Sequence, residues 1–159
     1  MKSRGPGPPL LARALCMLAL AAPGAALADI VNESRQVGGM IFYLGIVPAE
    51  VVLAHPPGHP EREMHKGAPS GPSKYHVMVA IFDVRAGARI TDAQASARVE
   101  SIALMRGEEK TLEPMPIAGA MTYGNYFDMA GRGAFRINLH VRRPGRERPV
   151  EVRFEHAHR

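Results

Sequence analysis

Apolar and polar residues alternate along several short segments of this chain. Between 134 and 142 the apolar residues fall on every second position, and polar residues such as His140 lie between them. A period of two is typical of a strand that is buried on one face only. Residues 150–155 repeat the alternation, and Pro144-Gly145 in the connection is typical of a turn. The two segments are therefore predicted to form an antiparallel hairpin.

Further strands are predicted upstream of this hairpin. Residues 75–83 are apolar on both faces, which is typical of a strand in the middle of a sheet. About seven or eight strands separated by glycine and proline turns favour an all-β antiparallel β-sandwich over a barrel or an α/β fold. Residues 55–73 are rich in histidine and proline and are predicted to form a long loop. The other predicted strands are 40–47, 51–54, 97–105, 110–113 and 123–129.

Residues 1–28 have the features of a secretory signal peptide. Basic residues precede an apolar stretch at 14–22, and Ala26-Leu27-Ala28 provides a cleavage site of the small-x-small type. The apolar stretch is shorter than the ~20 residues that a helix needs to span a bilayer. The mature chain, 29–159, is expected to be a soluble, periplasmic protein with a single domain.

Removal of the leader changes both the charge and the available ligands. Three of the 20 lysines and arginines lie in it, which leaves 17 basic residues against 15 acidic ones. The mature chain lacks the sustained positive face that binding to nucleic acid requires, so no nucleic-acid partner is predicted. Cys16 is the only cysteine and also lies in the leader. The soft metal ligands of the exported chain are therefore histidines and methionines.

One group of such ligands lies in the predicted loop. Imidazole nitrogens and thioethers suit soft and borderline metals, copper above all. Nearby glutamates would add oxygen donors, which leaves Cu(II), zinc and iron open as ions for this loop. An exposed polar loop without metal is the structural alternative. The candidate ligands are His55, His59, Met64 and His65.

A second group of candidate ligands centres on the strand that follows the loop. His76 and Met78 are two residues apart, which places both side chains on one face, about 7 Å apart. Met115 and Met121 lie in a turn-rich stretch, where a methionine that only fills the core is less expected. If the fold brings that stretch to the start of the strand, these residues form a low-coordinate Cu(I) site. The structural alternative is a core Met78 beside a hydrogen-bonded His76.

The chain contains no motif of a known catalytic class. A Gly-x-Ser-x-Gly elbow, a phosphate-binding loop, a His-Glu-x-x-His helix and a thiol nucleophile are all missing from the mature sequence. We therefore expect a binding protein and not an enzyme.

Two stretches resemble known families of periplasmic modules. Residues 76–83 and 87–93 are similar to the opening strands of YtkA-like and related immunoglobulin-like modules. His76, Pro114-Met115 and Tyr123-Gly124 resemble the motif of copper-binding accessory proteins of bacterial iron uptake, which are immunoglobulin-like sandwiches. Met78 stands where that motif has an acidic ligand, and Thr122 stands where it has a histidine. These departures imply a site richer in thioethers.

Together these observations predict an immunoglobulin-like β-sandwich in the bacterial envelope that binds a metal ion, most plausibly copper. Its role would be that of an accessory or chaperone protein for a transport or oxidase-assembly system. The alternative is a metal-free module that binds a membrane partner. The sequence leaves the oligomeric state open.

Overall fold

The computed structural model describes residues 31–158, and the predicted signal peptide lies outside them. The regular secondary structure of these residues is almost entirely strand. Between β2 and β3 the chain also forms two short helices, α1 (Ala49–Leu53) and α2 (Pro60–Glu63), and a 3-10 turn, η1 (Met64–Lys66). The strands are β1 (Val31–Val37), β2 (Met40–Pro48), β3 (Lys74–Asp83), β4 (Gln94–Ser101), β5 (Arg106–Ile117), β6 (Ala120–Asp128), β7 (Gly133–Arg142) and β8 (Val150–His158).

The eight strands pair in the order β1-β2-β3-β6-β5-β4-β7-β8, and every pairing is antiparallel. Strand β5 links two sheets, because its first part pairs with β4 and its last part, from Glu113, pairs with β6. The inward residues of both sheets form one apolar core that includes Phe42, Val79, Ile137 and Phe154. The predicted immunoglobulin-like antiparallel sandwich of seven or eight strands is confirmed.

The prediction of a strand at 51–54 is wrong, because α1 occupies this region. The backbone leaves the strand conformation at Pro48, which precedes the first helical residue. Ala49 and Val52 lie three residues apart, on one face of the helix, and both are buried. Burial of that face outweighs the strand preference of the two valines.

The predicted strands at 97–105 and 110–113, which imply a turn between them at 106–108, are also misplaced, because β4 ends at Ser101 and β5 begins at Arg106. The intervening turn contains apolar residues, a composition that resembles a strand, yet Leu104 and Met105 are 59% and 84% exposed.

The stretch described as turn-rich, 113–124, is a hairpin. Its two-residue turn, Ala118-Gly119, has positive φ angles of 47° and 77°.

Two features of the fold were absent from the prediction. Strand β1 was missed because residues 34–37 are exposed and its pattern is mainly polar, as expected at the end of a sheet. The predicted loop 55–73 contains α2 and η1 instead of being wholly irregular. No helix in residues 31–158 is both long enough and apolar enough to cross a membrane.

Candidate metal centre

The outer face of β3, β6 and β5 provides the platform of the candidate site. His76 pairs with Tyr126, Glu113 pairs with Gly124, and Met115 pairs with Thr122. Residues directly opposite each other in paired strands share a face. The core-facing residues of β3, Val77, Val79 and Ile81, lie on the other side. His76, Glu113 and Met115 therefore project from the side of the sheet that alternation leaves for solvent.

The segment between β2 and β3 folds over this face and brings His65 onto it. His65 Nε2 lies 3.2 Å from His76 Nε2 and 3.3 Å from Met115 Sδ. Only 3% of the His65 side chain is exposed, and His76 and Met115 are 3% and 2% exposed as residues. Two imidazole nitrogens and one thioether sulfur thus converge in a buried position. These three residues are called the buried site below.

Gly124 makes the room that the buried site occupies. A Cβ atom at this position would lie 2.5 Å from Met115 Cε, 2.9 Å from His76 Nε2 and 3.1 Å from the carbonyl oxygen of Val77. Real Cβ atoms are essentially never as close to other atoms as the first two distances. The absence of a side chain at Gly124 is therefore what allows the histidine and the methionine to lean towards each other.

The backbone around His65 is unusual. His65 has φ 57° and ψ 33°, Lys66 has φ 70° and Gly67 has φ 102°. Non-glycine residues adopt the left-handed region rarely, and such residues are concentrated at functional sites. Two hydrogen bonds hold the turn: Gly67 N donates to Met64 O, and Ala68 N donates to the carbonyl of Arg62. This conformation directs the His65 side chain onto the sheet.

Glu113 orients the ring of His65 and favours one of its tautomers. Its Oε2 atom lies 2.8 Å from His65 Nδ1, the distance of a strong, charge-assisted hydrogen bond. When Nδ1–H donates to this carboxylate, the lone pair of neutral His65 is on Nε2, the nitrogen that faces His76 and Met115. Histidine ligands of metals are commonly oriented by a carboxylate in this way.

His76 is kept neutral by its surroundings. Burial, together with the nearby His65, lowers the pKa of His76 from 6.5 to about 4. A neutral imidazole is the form that binds metal, so the lone pair of His76 is available at neutral pH.

Tyr126 forms one wall of the buried site. Its ring stacks on His76 with centroids 4.6 Å apart and meets His65 edge-on at 5.7 Å. Burial and the negative charge of Glu61 raise the pKa of Tyr126 to about 12, so its phenol stays protonated. Its hydroxyl is buried and has no hydrogen-bond partner among residues 31–158.

The separations within the buried site fit a single metal ion. His65 Nε2 lies 3.2 Å from His76 Nε2 and 3.3 Å from Met115 Sδ. Zinc–nitrogen bonds are about 2.0–2.1 Å and zinc–sulfur bonds about 2.3 Å, so either pair could hold an ion of that size between its two donors. The donor set, two imidazoles and a thioether, matches soft and borderline ions and lacks the oxygen atoms that Mg²⁺ and Ca²⁺ prefer.

The structure thus joins residues that the sequence analysis placed in two groups. His65 from the loop meets His76 and Met115 from the strands. The two other methionines of the strand group lie elsewhere: Met121 packs against the core, and the terminal methyl of Met78 lies towards Gly45 on β2. Of the predicted Cu(I) ligands His76, Met78, Met115 and Met121, the structure thus brings His76 and Met115 together around His65, and a share for Met78 and Met121 stays a prediction.

The remaining loop candidates lie apart from the buried site. Met64 begins η1 and is half-buried. His55 and His59 stack on each other with ring centroids 4.1 Å apart and lie next to Glu61. The sequence analysis missed the roles of Glu113, Gly124 and Tyr126. The Tyr123-Gly124 dipeptide was noted as a motif, but the need for an empty position at Gly124 is visible only from the strand pairing.

Comparison with known proteins identifies solved structures that share the fold of this chain. No protein family profile matches the sequence, and no curated protein does so either. Among solved structures, FetP of uropathogenic Escherichia coli strain F11, recombinantly expressed in the periplasm, matches with a TM-score of 0.63 and 17% identity, over 84% of this chain and 97% of that one. Copper-reconstituted P19 of Campylobacter jejuni matches with a TM-score of 0.60 and 13% identity, over 81% and 94% of the two chains.

A DUF4426 family protein of Pseudomonas aeruginosa PAO1 is also similar, with a TM-score of 0.59 and 12% identity, over 79% of this chain and 93% of that one. FetP, in a variant form, and P19 have both been solved with copper bound. At these identities the likeness concerns the fold. The resemblance to YtkA-like modules stays a prediction.

Proposed function

We propose that this protein is an exported copper-binding accessory protein of the bacterial envelope. The observation that carries the proposal is a buried convergence of donors. His65 Nε2 lies 3.2 Å from His76 Nε2 and 3.3 Å from Met115 Sδ. The predicted leader supports export to the periplasm. The structural similarity to proteins solved with copper supports the choice of metal.

Ligand chemistry favours copper over the other candidate ions. Thioethers select soft ions, and a site with two imidazoles and a thioether is suited to Cu(I) while the imidazoles also accept Cu(II). The one carboxylate at the buried site, that of Glu113, lies against His65 Nδ1, on the opposite side of the ring from the donors. Zinc and iron would gain little from the sulfur of Met115. Zinc and iron are therefore weaker candidates at this position.

The role fits storage or delivery of the ion better than catalysis. The three donors are covered by protein, and Tyr126 closes one side with an apolar ring that stays neutral. A closed site of this kind holds an ion but offers little space for a second reactant. We place the protein beside an envelope transport or oxidase-assembly system that receives or supplies copper.

The decisive experiment removes the sulfur and keeps the volume. Met115→Leu should weaken Cu(I) binding by at least about 10-fold, because even residues that only orient a ligand contribute that much to metal affinity. Met40→Leu is the matched control, because Met40 is equally buried but lies in the apolar core. Competition titration against a Cu(I) chelator measures both. Equal Cu(I) affinities of the two variants would show that the buried site does not bind copper through sulfur.

A further inference from the structure

A second group of candidate metal ligands lies on the exposed side of residues 49–73, the segment between β2 and β3 that covers the buried site. This segment is called the covering segment below. The ligand atoms of His55, His59 and Glu61 all lie within 4.8 Å of one another. His55 Nε2 is 3.4 Å from Glu61 Oε2, and the two imidazole rings are nearly parallel, with an interplanar angle of 7°. The lone pairs of an imidazole lie in the plane of its ring, so stacked rings with centroids 4.1 Å apart do not aim at one point, and a shared ion requires one ring to rotate about its side-chain bonds. These three residues are called the loop cluster below.

The backbone holds the loop cluster together. His59 N donates to Pro56 O at 3.1 Å, a turn that brings His59 back alongside His55. Gly58, with φ 84°, permits the reversal, and the ring of Pro56 restricts the chain before it. The side chain of Arg62 donates to the carbonyl oxygen of His55 at 2.9 Å. The two imidazoles are therefore placed by main-chain contacts.

The loop cluster differs from the buried site in access and in donors. The side chains of His55 and Glu61 are 38% and 32% exposed, against 3% for His65. The loop cluster offers two nitrogens and a carboxylate oxygen, a combination found in open zinc sites where water completes the coordination. Such a set suits borderline divalent ions and gives no advantage to Cu(I).

His59 links the loop cluster to the start of α2. Its Nδ1 accepts a hydrogen bond from Glu61 N at 3.3 Å, which caps this four-residue helix. Neutral His59 in this state carries its proton on Nε2. An ion bound at Nε2 would require this proton to move to Nδ1, and an ion bound at Nδ1 would take the lone pair that now accepts from Glu61 N, so either mode replaces the capping hydrogen bond. Ion binding is thus coupled to the first turn of α2, and the chain reaches His65 four residues after Glu61.

We propose that the loop cluster is a second metal site, which binds a divalent cation of the zinc or Cu(II) type and is independent of the copper proposed for the buried site. Glu61 of the loop cluster is also close enough to Tyr126, the wall of the buried site, to act on it electrostatically. The two sites therefore lie on two sides of one segment and select ions by different donors.

Zn²⁺ is the probe for this proposal, because it has no redox chemistry and little preference for thioethers. In protein carrying His76→Gln, which disables the buried site, calorimetric titration should still show one Zn²⁺ bound per chain. Adding Glu61→Gln should weaken that binding by at least about 10-fold. Glu61→Gln keeps the volume and the main-chain N–H that caps α2, so folding should be preserved.

Glu151→Gln is the matched control. Glu151 lies 3.6 Å from His140 in an exposed histidine–glutamate pair that has no second histidine in it. It should leave Zn²⁺ binding unchanged. Absence of Zn²⁺ binding in the His76→Gln protein, or equal loss of affinity in the Glu61→Gln and Glu151→Gln variants, would overturn the loop cluster as a site. Loss of Cu(I) binding in Met115→Leu would leave this result untouched, so the two proposals fail separately.

Discussion

His76 and His140 occupy the same kind of position in two strands, yet their surroundings are opposite. Each lies on the outer face of its strand, β3 or β7, opposite the core-facing residues. His140 is 41% exposed in its side chain and lies near a carboxylate, that of Glu151. His76 is 3% exposed as a residue and faces an imidazole and a thioether. The difference arises because residues 49–73 cover the outer face of β3, β6 and β5 and leave that of β7 and β8 open.

This comparison teaches how a ligand site arises from an ordinary sheet. Strand alternation supplies polar side chains on an outer face whatever their later use. On the open face such residues stay hydrated and form weak ion pairs. On the covered face water is excluded, burial keeps His76 neutral, and the Nε2 atoms of His65 and His76 point towards the same position. The covering segment therefore turns an outer face into a site for a metal ion.

The largest expected difference between the two faces is in the response of the metal-free protein to pH. The pKa of His76 is about 4 in the folded state against 6.5 as its ordinary value. Between these values the unfolded state binds more protons, so stability falls as the pH falls from 6.5 to 4. One pKa unit is worth about 1.4 kcal/mol, so the loss attributable to His76 reaches about 3 kcal/mol. Urea unfolding across this pH range measures it.

Glutamine substitutions test the assignment of this slope to the covered face. His76→Gln removes the group that titrates and should flatten the dependence of the unfolding free energy between pH 6.5 and 4. His140→Gln, the same change at a histidine on the open face, is the matched control for the substitution itself. A slope that persists in His76→Gln would show that another group is responsible.

The next effect in size concerns the room at Gly124. Gly124→Ala places a methyl group where Met115 Cε and His76 Nε2 now lie, so both donors must move. We expect Cu(I) affinity to fall roughly 100-fold, the upper end for residues that orient ligands. Gly45→Ala is the control. Gly45 pairs with Met78 on the neighbouring strand, and a Cβ there would meet its nearest atom, Met78 Cε, at an ordinary 3.6 Å.

Chelator competition and thermal unfolding of both alanine variants separate the two effects of the added methyl group. Gly124→Ala should lose Cu(I) affinity while keeping a cooperative transition. Equal Cu(I) affinity in Gly124→Ala and Gly45→Ala would mean that the buried site does not depend on this gap.

Much of the fold follows from local pattern, since period-two alternation identifies β7 and β8, and a run that is apolar on both faces identifies β3, without reference to any distant residue. The errors lie where a distant contact decides. Pro114 and Pro116 suggested a turn, but they lie in the part of β5 that pairs with β6 and no longer with β4. Proline is tolerated in a strand that lacks a partner on one side. The strand consequently continues to Ile117.

The sequence predicted which residues could act as ligands at the candidate site, but it did not predict which of them come together in the fold. The spacing within β3 singled out His76, and the soft donors of the chain included Met115 and His65. Nothing local assigns His65 to the strands, because its position depends on left-handed backbone at 65–67 and on the path of the whole covering segment. Met78 was a reasonable candidate by face alone, but neighbouring glycines on both paired strands let its side chain turn towards β2.

The smallest of the expected effects concerns Glu113, which combines a property of the open face with a property of the covered face. Its side chain is 52% exposed, as on the open face, yet it accepts from His65 at the covered one. Glu113→Gln keeps an oxygen that can accept from Nδ1–H but removes the charge that favours this tautomer. A glutamine turned the other way would donate to Nδ1 and place the proton on Nε2, where it blocks the metal.

We expect Glu113→Gln to weaken copper binding about 10-fold, the lower end for carboxylates that orient a histidine ligand. The effect should be smaller than that of Met115→Leu or Gly124→Ala, because no donor is removed or displaced. Glu109→Gln, a change at another exposed glutamate of β5, controls for the loss of one negative charge. If Glu109→Gln weakens Cu(I) binding as much as Glu113→Gln in the same competition titration, the effect is one of net charge, and Glu113 does not orient His65.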